Sequence, residues 1–310
     1  MPLFHGTASL PPFRKPVLTI GTFDGVHLGH RAILDEVVRH ARRIGGESIV
    51  ITFEPHPRKL LFPNEPLRLL TPLGQKADYL HEAGIDHVVV QPFDAGFSRL
   101  AAGAYVQDFL VRNFRPSAIV IGYDHHFGAD RSGNIALLES LAPAAGFEVH
   151  QIPAQMIDAA AISSTKIRRG LDSGDVAGAA QMLGRPYALS GTVVEGAQLG
   201  RTIGYPTANI LPADADQLVP ARGVYAVLAQ TEDGRLHQAM LNIGYRPTVA
   251  EGLALKIEAH LLGFSGNLYG QAMTITFIAR LRDEQKFDSL DALKAQLGQD
   301  AVAAAAALVF

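Results

Sequence analysis

Two histidines stand three residues apart in residues 21–30, a glycine-containing stretch whose composition suits phosphate chemistry. The stretch follows a predicted strand and enters a predicted helix, so its backbone amides would lie at a helix N-terminus, where anions are favoured. Glycines let the backbone approach a phosphate, and the imidazoles of His27 and His30 can donate hydrogen bonds to a phosphate under substitution. Phosphoryl-type transfer needs mainly such positioning and charge stabilisation. One alternative is that both histidines only cap or pack the helix; a zinc site is less favoured, because the chain has no cysteine and no paired carboxylate is evident.

A second glycine-containing stretch, residues 196–209, ends in Pro206-Thr207-Ala208-Asn209. It lacks the Gly-Lys-Ser/Thr ending of a P-loop, and a glycine-rich stretch by itself more often forms a plain loop between strands. The side-chain oxygens of Thr207 and Asn209 are hard donors of the kind that suit Mg²⁺, which keeps several waters and bridges substrate phosphates. Taken alone, the stretch therefore predicts a loop that ends in two oxygen donors, and a more specific role depends on the family resemblance described below.

The first half of the chain carries short apolar runs rich in β-branched residues, separated by helical patterns. The runs cover residues 17–23, 48–53, 86–91, 117–122 and 147–152, and the helical patterns cover 32–44, 75–83, 102–114 and 134–145. This alternation predicts βαβ units around a buried parallel sheet, with ligands at the carboxyl ends of the strands. Residues 21–30 would lie at that edge.

The second half has a different sequence pattern, in which no long helix separates the predicted strands. These strands are predicted at residues 188–194, 222–229, 235–243, 253–262 and 271–281. Within residues 255–261, apolar side chains alternate with Lys256, Glu258 and His260, as in a strand with one buried face. The pattern predicts a small antiparallel barrel followed by a helix from about residue 288, while a helical segment at 164–183 joins the halves.

Composition narrows the class of protein. A chain of 310 residues with 48% hydrophobic and 18% charged residues predicts two globular domains. A formal charge of −3 without a Lys/Arg run argues against nucleic acid, so small molecules are the expected partners. The first 15 residues are a poor secretory signal, and the apolar residues 301–310 are too few for a span of about 20. With no cysteine, the chain suits the cytoplasm and shows no sign of a membrane partner.

The motifs together resemble a known enzyme family. Residues 21–30 are similar to the nucleotidyltransferase signature of FAD synthetases, and residues 53–57, 122–128 and 162–168 match the same family in order. Pro-Thr-Ala-Asn resembles the riboflavin kinase signature, and residues 223–225, 242–248, 257–262 and 281–287 continue that match. The matches cover most of residues 15–300, so the chain resembles the bifunctional bacterial riboflavin kinase/FAD synthetases.

The resemblance implies a fold and a reaction. It implies a Rossmann-like α/β nucleotidyltransferase domain with a parallel sheet over residues 1–183, and an antiparallel split β-barrel flavokinase domain with a terminal helix over residues 184–310. The first activity would phosphorylate riboflavin to FMN with ATP and Mg²⁺. The second would transfer AMP from ATP to FMN, giving FAD and pyrophosphate.

The resemblance also implies roles for individual residues. The catalytic residues would be His27, His30 and Glu258, the last as the base that accepts the proton of the ribityl hydroxyl. The ATP and phosphate contacts would come from Gly21, Phe23, Asp24, Gly25, Gly29, Ser164, Thr165, Arg168, Gly200, Arg201, Gly204 and Pro206. The flavin contacts would come from Phe53, His56, Asp124, Phe127 and Arg282. The metal ligands would be Thr207 and Asn209.

Some of these residues have a plainer interpretation. Ser164 and its neighbours could only cap a helix, Phe53 and Phe127 could be core, and Glu258 could be an exposed strand residue. The sequence departs from the family pattern at His125 and His126, where an aromatic residue and an arginine are expected, and this bears on FMN binding.

Two rival functions remain open. In the first, only one half is active, for example as a kinase whose other domain transfers nucleotide to a different acceptor. In the second, the chain is a flavin-binding oxidoreductase or carrier, which would leave both phosphate-type motifs unused.

Overall fold

The structure is a computed structural model that describes residues 2–153, 162–196, 199–248 and 252–309. The chain divides into two compact units, Met1–Ser164 and Thr165–Phe310. The helix Val176–Leu183 packs against strands of the second unit, whereas the sequence places the functional boundary after residue 183. The division at 183 and 184 stays a prediction about function.

Six parallel strands form the sheet of the first unit. They are β1 (Leu3–His5), β2 (Pro16–Ile20), β3 (Glu47–Glu54), β4 (His87–Pro92), β5 (Ala118–Gly122) and β6 (Glu148–Ile152), in the order β1-β4-β3-β2-β5-β6. The prediction of a parallel sheet is confirmed. Strand β1 was not predicted, since three residues are too few to show a period.

Helices cover both faces of this sheet. They are Leu28–Ile44, Pro57–Leu61, Leu73–Glu82, Ala95–Ser98, Ala102–Ala104, the π-helix Tyr105–Val111, Arg112–Phe114, the 3₁₀ turn Ala129–Arg131, and Ile135–Ala145. Successive strand residues point to opposite faces, so Leu18 and Ile20 join one apolar cluster while Val17 joins the other. The longest helix of this unit buries Leu34 against the Val17 cluster and ends at Gly45, whose φ of 63° is left-handed.

The second unit contains a closed antiparallel barrel. Its strands are β7 (Tyr187–Val194), β8 (Ala208–Pro212), β9 (Gly223–Thr231), β10 (Leu236–Thr248), β11 (Gly252–Leu261) and β12 (Ala272–Arg282), in the order β10-β11-β8-β7-β12-β9. Its helices are Ser164–Ser173, which begins at the last residue of the first unit, Val176–Leu183, Leu199–Thr202 and Leu290–Ala307.

The barrel and its terminal helix confirm the predicted fold class. Ser289 caps the last helix, which packs on β9, β10 and β12. Strand β8 was not predicted, because it begins inside the Pro-Thr-Ala-Asn motif, which resembles a loop in sequence. The alternation in β11 holds for the buried Ile257, Ala259 and Leu261, but Leu255 is 39% exposed and departs from the expected inward face.

Candidate active sites

The stretch 21–30 forms a tight turn between β2 and the helix Leu28–Ile44. Phe23, Gly25 and Val26 have φ values of 47°, 87° and 39°. Left-handed backbone costs an L-residue roughly 1–2 kcal/mol, so a turn with two such non-glycine residues must be held by its surroundings. No sequence pattern indicates this conformation.

Asp24 supplies much of that support. Its buried carboxylate accepts hydrogen bonds from the backbone amides of Leu70 and Thr71, both at 3.0 Å from Oδ1. Thr71 Oγ1 in turn accepts from the Gly25 amide at 2.9 Å, and Ser164 Oγ donates to the Asp24 carbonyl oxygen at 3.0 Å. Asp24 therefore anchors the turn through its side chain. A carboxylate held by these donors is a poor direct partner for a phosphate.

A buried lysine missed by the sequence reasoning also holds the turn. Lys76 Nζ donates to the Thr22 carbonyl oxygen at 3.2 Å, and the residue is 4% exposed. Burial lowers the pKa of Lys76, and the charges of Asp24 and Glu54 oppose that shift. Lys76 belongs to a helix whose sequence pattern gives no hint of contact with residues 54 positions away.

His27 and His30 lie against each other at the start of the helix. The His27 Nδ1 atom accepts a hydrogen bond from the His30 backbone amide at 3.3 Å, so His27 is the N-cap. The two rings stack with centroids 3.6 Å apart and an interplanar angle of 15°. Because Nδ1 is an acceptor here, neutral His27 carries its proton on Nε2 and keeps that N–H as a donor.

A cavity of about 870 Å³ opens beside this turn. Among the residues with predicted roles, its lining includes Gly21, Phe23, His30, Phe53, His56, Asp124 and Phe127. Asp24, Gly25, His27 and Gly29 lie outside this lining. Its size falls within the range of about 300–1,000 Å³ for small-molecule sites.

The walls of this cavity combine packing with binding capacity. Phe53 is 9% exposed and Phe127 is 6% exposed, and the ring of Phe127 stacks on Tyr105 at 5.1 Å, so both are also core residues. His56 caps the helix Pro57–Leu61, since its Nδ1 accepts from the Arg58 amide at 3.2 Å. Phe53 and Phe127 therefore pack in the core and line the cavity at the same time.

His125, where the sequence departs from the family pattern, also lines this cavity. Its ring lies 5.9 Å from that of Phe127, with the planes 30° apart. Burial lowers the pKa of His125 to about 4, against the smaller opposing effect of Asp124. The imidazole is therefore neutral at pH 7.

The predicted phosphate residues 164, 165 and 168 lie in the helix Ser164–Ser173. Ser164 is tied to the turn through the Asp24 carbonyl, as described above. Thr165 is exposed, Arg168 is half-buried, and both belong to the second unit.

The barrel has its own cavity, of about 370 Å³. Among the residues with predicted roles, its lining includes Gly200, Thr207, Glu258 and Arg282. Asn209 is 8% exposed and stands opposite Glu258 in the pairing of β8 with β11. Thr207, one residue before β8, has its Oγ1 3.4 Å from Glu258 Oε1, so Thr207 and Asn209 each lie next to Glu258.

The remaining phosphate-binding predictions fall on the loop that leads into β8. Arg201 belongs to the helix Leu199–Thr202, and Gly204 has a φ of 88°, which favours glycine. The Pro206 carbonyl oxygen lies 2.7 Å from His260 Nδ1, so that nitrogen carries the imidazole proton and holds the loop to β11.

Two charged residues at this cavity were missed by the sequence reasoning. Lys256 Nζ lies 2.6 Å from Glu258 Oε1, with both side chains about a quarter exposed at 27% and 24%. Asp300 is 3% exposed and accepts from Arg282 Nε at 2.8 Å and Nη2 at 2.6 Å. Arg282 Nη1 also donates to the Asp283 carbonyl oxygen, which leaves Arg282 chiefly its planar face for a ligand.

Comparison with known proteins identifies both halves of the chain. The FAD synthetase family model matches residues 11–166, and the riboflavin kinase family model matches residues 183–308. The bifunctional riboflavin kinase/FMN adenylyltransferase of Escherichia coli K12 is 40% identical over 306 residues, 98% of this chain and 97% of its own. That of Haemophilus influenzae is 40% identical over 284 residues, 91% of each chain.

A solved structure covers the whole fold. The crystal structure described as a macrolide-efflux protein from Streptococcus pneumoniae superposes with a TM-score of 0.87 and 29% identity, over 98% of each chain. In this chain, the described residues include no helix of the length and apolarity that a membrane crossing needs.

Proposed function

Because this chain belongs to the bifunctional riboflavin kinase/FMN adenylyltransferase family, we propose that its two cavities carry the two reactions of that family. The chain is a transferase that phosphorylates riboflavin to FMN and adenylylates FMN to FAD, with ATP as the co-substrate. The observation that supports the assignment is that each cavity is lined by residues of the matching family motif. Residues 1–183 are proposed as the adenylyltransferase and residues 184–310 as the kinase, acting in the cytoplasm.

In the proposed adenylyl transfer, the turn 21–30 holds the phosphates of ATP. An FMN phosphate oxygen attacks the α-phosphorus, and pyrophosphate leaves. His27 Nε2–H and the His30 imidazole donate to the α-phosphate, where negative charge builds in the transition state. Gly21, Phe23, Gly25 and Gly29 contribute close backbone approach, and Asp24 acts as a positioning residue.

The other contacts of this reaction rest on the cavity lining and the motifs. The flavin is proposed to bind against Phe53, His56, Asp124 and Phe127, whose rings and polar atoms face one cavity. The roles of Ser164, Thr165 and Arg168 in holding the triphosphate are proposed on the motif.

In the proposed kinase reaction, Glu258 accepts the proton of the ribityl 5′-hydroxyl as that oxygen attacks the γ-phosphorus of ATP. Gly200, Arg201, Gly204 and Pro206 are proposed to hold the phosphates, and the face of Arg282 to contact the flavin. Thr207 and Asn209 are proposed as Mg²⁺ ligands. The buried Asn209 amide and the Thr207 hydroxyl beside Glu258 are hard oxygen donors that fit this ion, which would supply positive charge to the substrate phosphates.

Lys256 adds a step that the family motif does not supply. Its Nζ lies 2.6 Å from Glu258 Oε1 and so forms an ion pair with one of the two oxygens that could accept the hydroxyl proton. We propose that Lys256 turns to the γ-phosphate when ATP binds, because its long stem is flexible and a phosphate offers more charge than one carboxylate. That movement would free the carboxylate of Glu258 for the hydroxyl.

Paired variants test the two assignments in one chain. Glu258→Gln keeps the shape of the side chain but removes the proton acceptor, so FMN formation should fall by about 10²–10⁴-fold in kcat with KM nearly unchanged. His30→Ala should lower FAD formation from FMN by about 10²-fold or more and spare FMN formation. Glu232→Gln, at an exposed position of the same barrel, is the matched control. Kinase turnover of Glu258→Gln within about threefold of the parent would exclude Glu258 as the base.

A further inference from the structure

Three potential metal ligands lie close together in the first unit, outside the lining of its cavity. They are His40 in the helix Leu28–Ile44, and Glu148 and His150 at the start of β6. His150 Nε2 lies 3.0 Å and His40 Nε2 lies 3.9 Å from Glu148 Oε2, and the three ligand atoms all lie within 4.8 Å of one another. In a tetrahedral site with bonds of about 2.0–2.1 Å, ligand atoms stand about 3.3 Å apart. Movements of about an ångström would therefore complete such a site.

The fold explains why these three side chains meet. Glu148 and His150 are two residues apart on an edge strand, so they share one face of the sheet. His40 is 2% exposed and comes from the helix that covers this face. It stands ten residues after His30, about 15 Å along the helix axis, so the cluster is separate from the adenylyl transfer site.

The chemistry of the cluster suits a divalent transition metal. Two imidazoles and one carboxylate form a common three-residue set for Zn²⁺, with the fourth position left to water. Neutral imidazoles and an ionised carboxylate are the forms in which these side chains bind a metal.

Arg43 competes with a metal ion for the side chain of His40. Its Nη2 lies 2.9 Å from His40 Nδ1, and since a guanidinium only donates, Nδ1 is the acceptor and the ring proton lies on Nε2. A metal at Nε2 requires that proton to move to Nδ1 and the guanidinium to turn away. Arg43 is exposed, so it has room to do so.

We propose that His40, Glu148 and His150 form a binding site for a zinc-class divalent cation, and that Arg43 lowers its affinity. The bound ion would tie the helix that carries His27 and His30 to the edge strand β6.

The proposal is tested by titrating the untagged, full-length chain with Zn²⁺ in the absence of nucleotide, by calorimetry, together with thermal unfolding. The parent should bind one ion per chain at this site and unfold at a higher temperature with Zn²⁺. His150→Ala, at a half-exposed position that should tolerate the change, should weaken that binding by at least about tenfold. Arg43→Gln, whose amide oxygen can accept from Nδ1–H, should strengthen it by about tenfold.

His81→Ala is the matched control, since His81 is exposed on another helix of the same unit, and it should leave the titration unchanged. Equal zinc affinity in the parent and in His150→Ala would overturn the site. Equal affinity in the parent and in Arg43→Gln would overturn the role given to Arg43.

Discussion

Asp300→Asn should lower both the stability of the barrel unit and the affinity of the kinase for riboflavin, because Asp300 holds Arg282 in place. The carboxylate accepts from Arg282 Nε and Nη2 at 2.8 and 2.6 Å and from Gln296 Nε2 at 3.0 Å. An asparagine amide in the same place would present a donor to a group that only donates. The Arg282 face beside Phe287, with the guanidinium carbon 5.9 Å from the ring centroid, would lose its fixed position.

The size of the effect follows from burial. Removing one partner of a buried ion pair costs about 3–5 kcal/mol. The Asp300 side chain is 4% exposed but the Arg282 side chain is 21% exposed, so the lower end of that range, about 3 kcal/mol, is expected. In a unit of this size each kcal/mol moves the unfolding temperature by about 2–4 °C, which gives a fall of about 6–12 °C.

Calorimetric unfolding of the full chain, together with the KM for riboflavin, measures both effects. Asp291→Asn is the matched control, because Asp291 is exposed in the first turn of the same helix and should cost less than about 1 kcal/mol. FAD formation from FMN should be unchanged in both variants. An unfolding temperature within about 2 °C of the parent would refute the energetic reasoning. A destabilised variant with an unchanged riboflavin KM would refute the flavin role of Arg282.

Two further predictions concern the adenylyltransferase unit. Gly128→Ala should destabilise this unit, because Gly128 has a φ of +73° and an added Cβ would lie 2.7 Å from the Ala102 Cα. The overpacking should add about 1–3 kcal/mol to the cost of the left-handed backbone. Urea unfolding measures the loss, and Gly146→Ala is the control, because Gly146 has a φ of +75° but no atom within 4 Å of the added Cβ. His125→Phe should make the unit less acid-sensitive. The lowered pKa of His125, about 4, means that its contribution to stability is present above pH 6.5 and lost as the pH falls toward 4, by at most about 3 kcal/mol. Urea unfolding at pH 7 and pH 4.5 checks this, and an unchanged pH dependence in the variant would contradict it.

The elements that the sequence predicted well are those whose burial leaves a local pattern. Strands β3 and β5 are buried along nearly their whole length and carry runs of β-branched apolar residues, because helices cover both faces of the sheet. The helix Leu28–Ile44 keeps its period because one face packs on that sheet. Strand β1 has three residues and β8 begins within a motif, so neither shows a period that could be recognised.

The residues of the candidate sites also fall into two groups, those that a local sequence motif indicates and those that only the folded structure shows. Residues 21–30 and 206–209 could be found because their chemistry depends on neighbours in the chain. Lys76, Lys256 and Asp300 could not, because their roles come from burial and from partners brought by folding; the carbonyl that Lys76 contacts is 54 residues away. A single lysine or aspartate in a helix or strand is more often solvated, and only the folded arrangement shows otherwise.

The two interpretations of His27 in the sequence, helix cap and phosphate ligand, prove compatible for a chemical reason. An imidazole has two nitrogens, and the cap uses only Nδ1, as the acceptor from the His30 amide. Using Nδ1 in this way fixes the neutral tautomer with its proton on Nε2, which is the form that can donate to a phosphate. The stacking of the His27 and His30 rings fixes their relative orientation at the positive end of the helix dipole. Capping is therefore consistent with the role proposed for His27 in the transfer, since it leaves His27 in the tautomer which that role requires.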